Sequence, residues 1–164
     1  MVPHSKLPLR AENLRATASS DAALNLNIPA GIRLGIWTYE SHQVTQFLGT
    51  LARVRHPVSG HLYWNETEVT HRPRWLIKNR RNHTALVWHN PYAILDPNAR
   101  IDRIMSRTAA RDIVIDAKLQ STGLSPAVRK YRVRALSGVN RVRLVLSYVR
   151  LQKPRVLLVD DIFR

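Results

Sequence analysis

A chain of 164 residues is long enough to bury a real core and falls within one domain by length. Apolar residues make up 45% and charged residues 23%, which excludes a disordered chain, and zero cysteines exclude disulfides and thiolate metal sites. Lys and Arg number 26 against 11 Asp and Glu, a net charge of +15 that either attracts polyanions or reflects dispersed, solvated arginines.

In chain order, residues 1–6 read as a tail, and MVPHSKLPLRAENLR holds no apolar stretch of about 7–15 residues, so no signal peptide is expected. Residues 7–15 and 22–28 alternate apolar and polar side chains, the pattern of half-buried strands. Pro29-Ala30-Gly31 is a turn, and Ile32 to Trp37 reads as a short buried strand. Thr45 to Val54 sets Phe47, Leu48, Leu51 and Val54 at helical spacing, and His56-Pro57-Val58-Ser59-Gly60 stops that helix. Strands follow at 62–64 and 85–88, separated by a polar, basic loop over 65–82 with one helical turn. Asn90-Pro91 and Asp96-Pro97 bracket a loop. Residues 101–119 read as one helix with Ile104, Met105, Ala109, Ile113 and Ala117 on one face. Ser137 caps a further helix whose apolar stripe is Val142, Val145, Leu146 and Val149, with Arg141, Arg143 and Arg150 off it. Val156 to Val159 is wholly apolar, the kind of strand a parallel sheet buries on both faces. Trp37, Trp64 and Trp88 are expected in strand cores and Trp75 at the surface. No apolar run approaches roughly 18 residues, so no membrane-spanning helix is expected. The alternation of strands and helices gives an α/β class with a mixed sheet.

Five stretches, in order, carry a resemblance. IPAGIRLGI is similar to the strand entering a phosphate loop, and RHPVSG to the turn after that loop's helix. ALVWHNPYAILDPNARIDRIM resembles a Q-loop and its continuation, LSGVN an LSGGQ signature, and PRVLLVDD a Walker B strand. From about Leu9 to Phe163 the chain resembles the nucleotide-binding subunit of an ABC transporter, closest to the peptide-importer group of oligopeptide, dipeptide and Sap-type systems. The resemblance implies a P-loop NTPase-like ABC domain, a mixed sheet flanked by helices, over 1–164, partial and lacking the last strands. Residues 90–135 are then the helical-subdomain equivalent. It implies ATP and magnesium as cofactors, a second ABC ATPase subunit and a membrane permease as partners, and a cytoplasmic location peripheral to the inner face of the cell membrane.

The departures fall where the chemistry lies. A phosphate loop needs glycines to turn backbone N–H groups onto phosphates, a Lys to meet their charge and a Ser/Thr for magnesium. The corresponding segment is Thr38, Tyr39, Glu40, Ser41, His42, Gln43, Val44 and Thr45. It has no glycine, Val44 stands at the lysine position, Glu40 adds negative charge, and Thr45 keeps the magnesium-side hydroxyl. Losing one charge-assisted contact costs about 1.5–3 kcal/mol. His89 replaces the Q-loop Gln, and no aromatic occupies residues 15–18, where an adenine-stacking ring is expected. Asp160 matches the magnesium aspartate of Walker B. Asp161 stands for the catalytic Glu, one methylene shorter, and a general base must come within about 2.6–3.2 Å of its water. The signature keeps Leu136, Ser137 and Gly138, while Val139 and Asn140 replace Gly and Gln. In the family that segment serves a partner's ATP; Ser137 as a plain helix cap is the other reading. A missing later strand is expected to leave an open sheet edge.

Residues 127–164 hold 10 basic and 2 acidic side chains, so polyanion binding there competes with the transporter reading. The seven His are scattered without metal-ligand spacing. Asn65-Glu66-Thr67 and Asn82-His83-Thr84 match glycosylation acceptors, but nothing else points to secretion. Three functions follow: a peptide-importer ATP-binding subunit with a decayed Walker A and little or no ATPase activity, a non-enzymatic basic protein that binds nucleic acid, and a truncated relic with no activity.

Overall fold

β1 (Leu9–Arg15) and β2 (Leu24–Ile28) carry the expected alternation, and both belong to an antiparallel sheet ordered β2-β1-β3-β4, with β3 at Ser59–Trp64 and β4 at Thr67–Glu68. In this computed structural model the described residues are 8–18, 23–37, 39, 41–73 and 84–161. Leu9, Ala11 and Leu14 of β1 and Leu62 and Trp64 of β3 turn inward, where they meet Phe47, Leu48 and Leu51 of helix α1 (Ser41–Leu51). Burying each such leucine stabilises the fold by about 1.5–3 kcal/mol. The Trp64 indole also donates to the Leu51 carbonyl at 3.3 Å, so the ring is satisfied inside the core. Register slips between Ala11 and Leu14, where Asn13 takes φ 48°. Gly60, at φ 87°, lies across that bulge; a Cβ there would come 2.2 Å from the Asn13 carbonyl oxygen.

Two strands, β5 (Thr84–Val87) and β6 (Val156–Val159), form a second sheet. Val156 and Leu158 enter the core of β1, α1 and β3, whereas Leu157 and Val159 remain 44% and 41% exposed. The expected burial of β6 on both faces is therefore corrected: only one face is covered among the described residues. Residues 32–37 are a larger correction. They form no strand, and all are exposed, Trp37 by 82%, with its ring set edge-on to Tyr39 at 5.1 Å. Among the described residues no strand pairs with this segment, so its N–H and C=O groups have no ladder and are left to water at the surface. Trp88 is half-buried just beyond β5, and Trp75 lies outside the described residues.

The chain divides into two compact units, the first of residues 1–86 and 155–160, the second of 87–154 and 161–164. The span 90–135 lies in the second, whose helices are α2 (Ile101–Ser106), α3 (Asp112–Gln120) and α4 (Gly138–Leu151). The single helix expected over 101–119 is two. Ala109 takes φ 55°, which resets the helical phase: Ile104 and Met105 are buried, Ile113 is 74% exposed, and Ile115 and Leu119 take the inner face. In α4 the buried side chains are Leu144, Val145, Ser147, Val149 and Leu151, with Val142 and Leu146 half-buried. The Ser147 hydroxyl meets Thr122 Oγ1 at 2.6 Å and donates to the Arg143 carbonyl at 3.0 Å, so α3's end and α4 share a satisfied interior polar contact. Among the described residues no helix is long and apolar enough to cross a membrane.

Candidate functional site

Helix α1 begins at Ser41, four residues before the expected Thr45. No glycine stands in residues 38–45, and residues 41–45 of that segment form the first helical turn of α1. Thr38 and Glu40 lie outside the described residues. His42 and Gln43 are exposed. Val44 is half-buried against the core of β1, α1, β3 and β6. The position that would need an ammonium reaching outward therefore holds an isopropyl group directed to apolar neighbours.

Thr45 behaves differently. Its Oγ1 donates to Asp160 Oδ2 at 2.9 Å, joining α1 to the residue that follows β6. Asp160 is 4% exposed. Two oxygens at this separation are spaced as neighbouring corners of a magnesium octahedron, whose metal–oxygen bonds are about 2.0–2.1 Å. The sequence pairing of these residues across 115 positions is thus a spatial one. Beside this pair, Val44 is half-buried against apolar side chains, and residues 38–45 contain no glycine.

In the second unit, Leu136 is buried and Ser137, Gly138 and Val139 are exposed, with Asn140 half-buried. Ser137 adopts extended φ and ψ, and its Oγ accepts the Asn140 N–H at 3.4 Å, the geometry of a helix cap. His89 follows β5 and is exposed. Asp161 is exposed with φ 32°, in the left-handed region that side chains adopt uncommonly. Among the described residues no group of three His, Asp or Glu is gathered for a metal.

Some residues the sequence reading passed over also hold positions of interest. Arg53, 1% exposed and at φ 54°, ends the first turn after α1; it faces His56 Nδ1 at 3.1 Å and donates to the Arg72 carbonyl at 2.9 Å. Arg132 and Arg134, exposed on either side of the fully buried Val133, both reach Asn98. The Arg-x-Arg spacing around one apolar residue was the available signal for that pair.

Comparison with known proteins bears on the fold. The chain matches no protein-family model. It is 26% identical over 96 residues to the peptidoglycan transport ATP-binding protein YejF of Agrobacterium fabrum, a match covering 52% of this chain and 18% of that protein. Among solved structures it is similar to cbiO1 from Clostridium perfringens, part of the ABC transporter complex cbiONQ. That match has a TM-score of 0.72 and 18% identity, over 94% of this chain and 65% of that one. It is also similar to the dimeric bacterial ABC transporter cassette MJ0796, with a TM-score of 0.78 and 15% identity, over 92% of this chain and 72% of that one. A second structure of that cassette, in a post-hydrolysis state bound to ADP and Pi, gives a TM-score of 0.75 over the same shares. The fold of this chain is the α/β fold of these ABC transporter cassettes.

Proposed function

We propose that the chain is an ATP-binding-subunit-like component of a peptide ABC importer whose own Walker A position holds little or no nucleotide. The observation that carries this reading is Val44, half-buried against the apolar core where the phosphate-binding lysine belongs. Thr45 and Asp160 keep the magnesium-side pair, and the similarity to a peptidoglycan transport ATP-binding protein supports a peptide-type cargo. In this reading Leu136 to Asn140 face the ATP of a second, intact subunit, with Ser137 as the hydroxyl donor. The chain docks on a membrane permease from the cytoplasmic side. Asp161 and His89 occupy the positions of the general base and the water-orienting amide, the first with a shortened arm and the second with a changed donor. The purified chain with Mg-ATP should release phosphate no faster than a no-protein blank, and Asp161→Asn should change nothing. Turnover above the blank that Asp161→Asn abolishes contradicts the reading.

A second reading, polyanion binding through the arginine-rich C-terminal third, is favoured by the net charge of +15 and by guanidinium groups in the second unit that meet only neutral acceptors. Affinity for a nucleic-acid strand that falls steeply with salt is its signature.

A further inference from the structure

The second unit holds two kinds of arginine. Arg100 and Arg129 face carboxylates: Arg100 Nη2 lies 2.8 Å from Asp102, and Arg129 forks onto Asp112 at 2.6 Å and Asp116 at 3.0 Å. Arg132, Arg134 and Arg141 meet neutral oxygens instead. Arg132 Nη1 donates to the Asn98 carbonyl, Arg134 Nη1 to the Asn98 side-chain oxygen at 3.2 Å, and Arg141 Nη2 to the Arg134 carbonyl at 3.3 Å. The Arg141 guanidinium also rests 4.7 Å from the centre of the Tyr92 ring. Among the described residues none of these three forms an ion pair. Asp96, the acid closest in sequence to Asn98, accepts the Asn98 N–H at 2.9 Å.

The backbone holds the cluster in place. Val133 N–H donates to the Ala99 carbonyl at 3.1 Å, Arg134 N–H to the Pro97 carbonyl at 2.9 Å, and Arg100 and Arg132 form an antiparallel bridge. Two like charges are thereby anchored on one asparagine, and a third is tied to the backbone of the second. Neutral acceptors orient a guanidinium without cancelling its charge, and each group keeps further donors of its five for a ligand. A planar fork of N–H donors matches phosphate oxygens in pairs. A singly charged carboxylate would leave two of the three charges uncompensated, whereas linked phosphates supply several.

We propose that Arg132, Arg134 and Arg141 form a binding site for linked phosphate groups, presented by a free oligophosphate or by the backbone of a nucleic-acid strand. The proposal rests on the polyanion reading above and gives it an address. Asn98→Asp tests it, because it places a carboxylate against Arg134, on the residue whose backbone carbonyl holds Arg132, with almost no change in shape. The full chain is titrated against a fluorescent single-stranded oligothymidylate of about 12 nucleotides, and against tripolyphosphate as competitor, at several salt concentrations. Asn98→Asp should weaken binding by about tenfold or more while the melting temperature holds or rises. The pair Arg132→Gln with Arg134→Gln should also weaken it and reduce the log–log salt slope by about 1.4. Arg103→Gln with Arg107→Gln, exposed arginines of α2 and its end, should change affinity less than about twofold. Competition by tripolyphosphate identifies the free oligophosphate as the ligand chemistry, and binding of the oligonucleotide without such competition identifies the strand. If the wild type binds and Asn98→Asp binds equally, the site is wrong while polyanion binding stands. If the wild type binds neither probe, both fall.

Discussion

Val44 and Thr45 are neighbours in the first turns of α1, yet they meet opposite surroundings. Val44 rests on apolar side chains, and the Thr45 hydroxyl reaches the buried carboxylate of Asp160. That difference was half legible in the sequence. The Thr45 and Asp160 positions were readable through the resemblance of their segments to a phosphate loop and a Walker B strand. The inward setting of Val44 was not, because it depends on how far the helix extends toward its N-terminus, and α1 starts at Ser41 rather than at the expected Thr45. Gly60 was legible only as a turn residue. Its role comes from a residue 47 positions away: at φ 87° it lies against the Asn13 backbone, with no room for a Cβ. Gly60→Ala should destabilise the first unit by about 2 kcal/mol or more, through the close contact and the positive φ together. Urea unfolding followed by circular dichroism measures this; a midpoint equal to that of the wild type would contradict the bulge account.

Elements were recovered where alternation or capping is local. β1 and β2 form where the sequence alternates, β1 with a bulge that shifts its phase, and α4 starts at the Ser137 cap. The failures share a cause. Residues 32–37 have strand composition, but a strand also needs a pairing neighbour, which composition does not report. The division of α2 from α3 turns on Ala109 adopting φ 55° without a glycine or proline to announce it. Element ends also carry the acid response. Arg100, by its side-chain hydrogen bonds, holds Asp102 in the first turn of α2 below the ordinary carboxylate range. The His61 imidazole, hydrogen-bonded at 2.7 Å, does the same for Glu68 of β4. A carboxylate whose folded pKa is depressed adds stability that is fully present above its unfolded pKa. That stability is lost as pH falls through the folded value. The melting temperature should therefore decline as pH drops below about 4.5, the ordinary value for Glu68. Asp102→Asn with Glu68→Gln should flatten that decline. An unchanged acid slope in the double variant would sink the assignment; both groups are at the surface, so the effect is small and shrinks with salt.

At the scale of the whole molecule, the chain has the cassette fold over more than nine-tenths of its length, while spanning 18% of the curated relative it matches and 65% of the cbiO1 chain. Fold and nucleotide chemistry separate here. The fold rests on dispersed apolar positions, which in the first unit gather into one core cluster from β1, α1, β3 and β6. In the proposed reading nucleotide binding rests on a few residues of one turn, Thr38 to Thr45, which contain neither glycine nor lysine. A sequence pattern spread over the chain therefore reported the fold well. The site depended on single positions whose side-chain directions only the structure displays. The net charge of +15 adds a general attraction for anions that can imitate weak nucleotide binding, and salt separates the two, since a fixed phosphate loop survives screening better than a diffuse field does. The most direct test of the account is calorimetric titration of Mg-ATP into the folded chain at low and high salt. The account predicts no saturable heat at high salt, with a circular-dichroism spectrum showing an intact α/β fold. Saturable, magnesium-dependent binding of micromolar affinity that persists at high salt would contradict it.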